Sequence, residues 1–334
     1  MSETDLPTEI TDGAASELEV AIAAMRRDYS KLAPRIRLLK HSVASSCKSI
    51  NLHLHFPSLR QSTATVCELV EVISFHLVPF CLPRSEIAAV DELYGQVDVD
   101  EFKLKHTQLS ERAKKLFIQT QTTTNRNGEP GELLLYLLTE WILEAPQLVA
   151  KMSLKTNRNM PVHGADGIHI RFCQETSRLF LFWGESKLYA DVGKAINAAI
   201  KSVCEALRPE KIDHEIQLVQ RNLGTSGLDE ASKNAVLCYL NPYEEFYNER
   251  HDAITCLIGF DFDAFEKVSR EDSDQAEKKF VALAEDKLNE ITPDLTKKVM
   301  DAGLEGKPIE VFFFPVPSVQ QFRDLFHQKI GWAQ

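Results

Sequence analysis

The stretch from 166 to 189, DGIHIRFCQETSRLFLFWGESKLY, constrains the fold more than any other: it reads as two antiparallel strands joined by a tight loop. Ile168, Ile170 and Phe172 alternate with His169 and Arg171, which is the two-residue period of a strand. Residues 174–177 are polar and turn-like, and 178–183 is a second strand with an apolar run. A symmetric loop sets Cys173 opposite Arg178, and counting outward brings Asp166 opposite Glu185. Directly opposed residues have Cβ atoms about 5 Å apart, so both carboxylates would be in reach of one divalent ion. Glu185 and Lys187 share a parity and therefore a face of the strand.

Glu-x-Lys by itself is common. It also occurs at Glu101/Lys103, Glu277/Lys279, Glu285/Lys287 and Glu305/Lys307. The copies at 277 and 285 sit in a charge-rich, helix-like stretch and read as a solvated face. Those at 101 and 305 have no apolar strand leading into them. Only the copy at 185 ends a hydrophobic strand with a register-matched Asp upstream. Charge placed where a buried strand emerges is hard to explain as packing, because unpaired buried charge is expensive.

A fourth acid precedes the hairpin. Pro130-Gly131-Glu132 leads into the apolar run 133–138, LLLYLL, and reads as the start of a buried helix. An acid in the first turn suits the helix dipole and suits a metal equally well, so Glu132 stays open between cap and ligand on local grounds.

Glu132 at a helix start, Asp166 at a strand start and Glu185-Ser186-Lys187 followed by a helix together resemble the PD-(D/E)XK nuclease superfamily. The wider wording, GADGIHIRF followed by LFLFWGESKLYADVGKAINAAI, is similar to the HamA family of the Hachiman anti-phage defence system. The similarity runs from about 120 to 334 and is strongest between 160 and 205. It implies an α/β fold, a mixed sheet flanked by helices with a restriction-endonuclease-like core. It implies Asp166 and Glu185 as metal ligands, Lys187 as the catalytic lysine and Glu132 as the superfamily's helix acid. It further implies Mg²⁺ (or Mn²⁺), DNA as substrate and a superfamily 2 helicase partner, HamB-like. The chain departs from the pattern at the "PD" step, which is Ala165-Asp166 here.

Composition narrows the setting. A net charge of −11 is awkward for a protein that binds DNA unaided, since phosphate affinity comes mainly from Lys and Arg. Two basic clusters run against that balance. Arg26, Arg27, Lys31, Arg35, Arg37, Lys40 and Lys48 face the single acid Asp28, and Lys151, Lys155, Arg158 and Arg171 lie in sequence near the candidate site as phosphate contacts. The seven cysteines (47, 67, 81, 173, 204, 238, 256) form no Cys-x-x-Cys pair, which predicts reduced thiols in a cytoplasmic protein and no zinc ribbon. No apolar run approaches the ~20 residues of a membrane helix, and the opening MSETDLPTEITD is not signal-like. Walker-type, GxGxxG and GxSxG motifs are absent from the sequence, so an ATP-driven step would belong to a partner.

Along the chain, 1–15 reads as a disordered tail. A mainly helical interaction or regulatory region extends to 118 and a nuclease domain occupies 119–334, with the polar stretch 119–131 between them. Within the first region 49–56 (SINLHLHF) is strand-like, and His53 and His55 read as exposed strand histidines without a third metal ligand. Predicted later elements are a helix carrying Val192, Ile196, Ile200 and Val203, a helix near 229–240, a strand at 253–260, a charged helix over 273–290, a buried strand at 309–316 and a final helix capped by Ser318 with Gln321. Asp261 and Asp263 read as a strand-end turn. The reading is thus a metal-dependent DNA nuclease gated by a partner; the alternative is a non-catalytic subunit that keeps a nuclease-like fold for binding.

Overall fold

The computed structural model describes residues 12–39, 50–124, 129–154 and 165–332. Lys40, Cys47, Lys48, Lys155 and Arg158 lie outside them, as do the first eleven residues of the expected tail. The described residues form nine strands, β1 (Ile36–Leu39), β2 (Ile50–Pro57), β3 (Leu59–Arg60), β4 (Thr63–Ala64), β5 (Gln147–Val149), β6 (Gly167–Cys173), β7 (Arg178–Tyr189), β8 (Arg250–Asp261) and β9 (Ile309–Val316). Seven of them build one sheet in the order β1-β2-β9-β8-β7-β6-β5, and β3 with β4 forms a small separate hairpin. The central strands β2, β9, β8 and β7 are parallel, while β1 at one edge and β6 and β5 at the other run antiparallel to their neighbours. The fold is therefore α/β, with helices on both faces of a mixed sheet.

Strand periodicity explains the layers. In β9, Phe312, Phe314 and Val316 face a core that includes the helix Glu129–Ile142 and the final helix Val319–Ile330. Ile309, Val311 and Phe313 face the opposite core, with the helices Val192–Ala206 and Ser273–Asp301. Apolar residues on both parities are what a parallel strand covered on two sides requires. A third cluster packs the β6–β7 hairpin against the helices Asp12–Ala24, Pro209–Asn222 and Glu230–Leu240.

The hairpin register is the expected one, with Cys173 opposite Arg178 and Gly167 opposite Gly184. Its loop is a short 3-10 turn closed by Ser177, whose φ of 51° is left-handed. The final helix is capped as read, the Ser318 hydroxyl accepting from the Gln321 amide.

Several expectations need correction. The mainly helical region before 118 supplies two strands, β1 and β2, to the large sheet, where only 49–56 was read as strand-like. A single helix, Val99–Thr124, runs into the polar stretch read as the boundary. The first helix begins at Asp12, inside the expected tail. The charged helix continues past Pro293 to Asp301, and Pro209–Asn222 is a helix the periodicity did not single out. His55 is fully buried rather than exposed, and His53 is partly buried, bonded to Glu310 at 2.7 Å. The strand-end turn read at Asp261 and Asp263 is present: β8 ends at Asp261, which accepts from the Val319 amide at the start of the final helix at 2.6 Å, and Asp263 pairs with Lys267.

Candidate active site

The hairpin brings Asp166, Glu185 and Lys187 to the same end of the sheet. Asp166 lies one step beyond the last paired residues, Gly167 and Gly184. Its amide donates to the Gly184 carbonyl at 2.7 Å, and its carboxylate accepts from the Ser186 amide at 2.8 Å. At this point a side chain has replaced a carbonyl as acceptor, so the carboxylate is tied to β7 itself. Glu185 is buried and accepts a hydrogen bond from Lys187, its neighbour two residues on and on the same face. The helix Val192–Ala206 covers that face, and its Ser202 stands against the Glu185 carboxylate.

Glu132 arrives from the other side. Its helix, Glu129–Ile142, packs on the opposite face of the sheet, where Gly131 lies against Ser186 and Leu188. A Cβ on Gly131 would come 2.3 Å from the Ser186 hydroxyl and 3.0 Å from Leu188 Cγ, so a larger residue would crowd this approach. Glu132 is near enough for its charge to act on Glu185. Among the described residues, no three carboxylate, imidazole or thiol groups already converge as a metal cage.

The electrostatics of the two groups differ. Burial pushes the Glu185 carboxyl above the usual glutamate range, and the charge of Glu132 adds to this, while Lys187 and Ser202 pull it partly back. Lys187 loses some basicity to burial, but Glu185 and Asp166 outweigh the loss and hold its ammonium above the usual range. A lysine held protonated can donate and neutralise developing negative charge; it cannot accept a proton at neutral pH. Cys256, opposite Glu185 on β8, is a neutral thiol, its ionisation suppressed first by burial and then by Glu185, so it is no nucleophile.

Two expected phosphate contacts are not available in this arrangement. Lys151 is buried, its ammonium bonded to both oxygens of Glu215 and to the Ala165 carbonyl. Arg171 lies partly buried against Phe180 and Phe182 and donates to the Leu143 carbonyl. In the N-terminal basic cluster, Arg26 and Arg37 are in surface ion pairs with Glu144 and Glu277. Ser202 went unnoticed in the sequence. The available signal was a hydroxyl two turns after Ala195 on an otherwise apolar helical stripe.

The family model HamA matches residues 36–330, which takes in the whole sheet and all four candidate residues. No curated protein matches the chain. Among the described residues no helix is long and apolar enough to cross a membrane.

Proposed function

This chain belongs to the HamA family, which makes it a protein of the Hachiman anti-phage defence system, and on that premise we propose that it is the system's DNA-cleaving subunit. The observation that carries the reading is the Asp166–Glu185–Lys187 arrangement at one end of the sheet, with Glu132 in electrostatic reach. Carboxylate oxygens are the donors a hard divalent cation prefers, so Mg²⁺ (or Mn²⁺) would be held by Asp166 and Glu185, with Glu132 as a third acid. Such an ion, when bound, supplies an activated water and neutralises charge on the phosphoryl oxygens. As placed, Glu185 is engaged by Lys187, so cation binding would compete for that carboxylate and free the ammonium. Lys187 then serves as the fixed positive charge that stabilises negative charge growing on the phosphate. Asp166 is pre-oriented by the Ser186 amide. The acidic balance of the chain leaves much of the DNA affinity to a partner, which we take to be a superfamily 2 helicase subunit that gates cleavage.

The test is DNA cleavage with Mg²⁺ or Mn²⁺, with and without the helicase subunit. Glu185→Gln and Lys187→Met should each lose at least about 100-fold in rate, the scale of removing one electrostatic stabiliser. Glu277→Gln, in an exposed Glu-x-Lys copy, should change nothing. Full cleavage by a folded Lys187→Met variant would overturn the assignment. Divalent ions should also raise the thermal midpoint, and Asp166→Asn should blunt that shift, because a ligand bound only to the folded state stabilises it.

A second reading draws on the unconverged carboxylates and the Glu185–Lys187 pair: a subunit that keeps this fold for binding alone. Indifference of the midpoint to both ions, together with absence of cleavage in the full complex, would select it.

A further inference from the structure

We propose that the buried Lys151–Glu215 ion pair is a positioning element for the Asp166 carboxylate, acting through the Ala165 carbonyl. The inference rests on the nuclease reading for its purpose, though its geometry stands independently. Lys151 opens the short helix Lys151–Leu154, which follows β5, and β5 pairs with β6 next to the end that carries Asp166. Its side chain is 2% exposed and that of Glu215 is 3% exposed, so both charges are out of water. An ammonium has three protons to donate. Here two go to the Glu215 oxygens, at 2.8 and 3.0 Å, and the third to the Ala165 carbonyl.

That third bond carries the argument. A buried ion pair gives little net stability over a well-packed apolar pair, so stability alone does not account for it. The Ala165 carbonyl belongs to the peptide that leads directly into Asp166. On the other side, the Asp166 amide is held by Gly184, and its carboxylate holds the Ser186 amide. The peptide that carries Asp166 is thus held at both polar ends, its amide by Gly184 and its carbonyl by Lys151, while Ser186 holds the carboxylate. Glu215, on the helix Pro209–Asn222, in turn holds the ammonium in place. A fixed carboxylate beside Glu185 is what a catalytic site with narrow geometric tolerance needs.

The experiment uses the full chain with Lys151→Met, Glu215→Leu and the double variant. Each single variant strands a buried charge or loses its packing partner and should be destabilised. The double variant, an apolar pair in place of the ionic one, should regain most of the wild-type denaturation midpoint. Amide hydrogen exchange then reads the positioning directly. In the double variant the Asp166 and Ser186 amides should exchange at least tenfold faster, while amides in the middle of β7 keep their protection. Unchanged exchange at both amides would overturn the proposal, whether or not the protein cleaves DNA. Where wild type binds Mn²⁺, the ion concentration giving half-maximal cleavage should rise at least tenfold in the double variant, and an unchanged value would count against the clamp. A wild type without cleavage fails the nuclease reading alone and leaves the exchange result to decide this one. Should the double variant not fold, Glu215→Gln keeps an acceptor for Lys151 but removes its countercharge. Faster exchange at Asp166 and Ser186 is again expected, and wild-type exchange again overturns the idea.

Discussion

His55 sits wholly inside the protein, neither ring nitrogen has a hydrogen-bond partner among the described residues, and it is held down to about 3 by burial, with His53 contributing. It is therefore neutral when folded and takes up a proton near 6.5 when unfolded. Between those values the unfolded chain binds more protons, so stability falls as pH drops from about 6.5 toward 3. His76, His169 and His327 are shifted downward too, chiefly by burial, and add to the same acid sensitivity. His55→Leu should leave stability at pH 7 unchanged or higher, since two unsatisfied nitrogens disappear. It should also flatten the acid loss by at most about 1.4 kcal/mol per pH unit, the value of one proton. Urea midpoints at pH 7, 6, 5 and 4 check this, and an unchanged slope refutes it. Alternation placed His53 and His55 on one face of a strand; it could not say that helices would cover that face. Lys151 shows the same limit, because a lysine reads as solvent-facing until its partner, Glu215, is brought to it from 64 positions away.

At the scale of elements, the helix Glu129–Ile142 is held at both ends. At its start Gly131 presses on β7. An added Cβ would lie 3.0 Å from Leu188 Cγ, and Leu188 is hemmed in from behind by Gly259, where a Cβ would come within 2.3 Å of its Cδ2. Ser186 can rotate its hydroxyl away, but Leu188 has nowhere to go. Gly131→Ala should cost about 1–3 kcal/mol as an overpacked contact, read as a lower denaturant midpoint. It should also lower cleavage by displacing Glu132. At the far end Glu140 is buried and bound by Arg84 at 3.0 Å, by Tyr29 at 2.5 Å and by the Gln147 amide at 2.7 Å. Arg84→Met leaves that carboxylate without its cation and should cost about 3–5 kcal/mol; Tyr29→Phe should cost about 1–3 kcal/mol for one hydrogen bond to a charged group. A midpoint unchanged in Arg84→Met would mean the pair is dispensable. Elements with a self-contained signal were legible: the β6–β7 hairpin from its alternation and loop, β9 from its apolar run, the last helix from its Ser318 cap. The helix Val99–Thr124 was not, being mixed in polarity with few buried positions, Leu109, Ala113 and Phe117 among them.

For the whole molecule, the sheet order matters more than the expected boundary near 119. β2 pairs with β9, so strands from before and after that point share one hydrogen-bonded ladder. The division was read from a polar stretch, and strand pairing between distant segments leaves no local trace in a sequence. Removing 1–118 deletes β1 and β2, strips one side of β9 and removes Arg84 from Glu140. The truncated chain should therefore lack a cooperative unfolding transition. A cooperatively folded 119–334 fragment would restore the view of the first region as a separable module.

β9 lies between β2 and β8, and it is the last strand of the sheet to leave the ribosome. Until it emerges, the β1–β2 pair and the block β8-β7-β6-β5 have no strand to join them. Asn51 waits for Glu310, 259 positions later. Closing a ladder over such a distance is slow and leaves apolar strand edges uncovered meanwhile. Assembly of this molecule therefore waits for β9 in its decisive step. Its yield should respond to chaperone supply and growth temperature more than its final stability would suggest, and a nascent chain stalled before residue 309 should be sensitive to protease at β2 while the finished one is not.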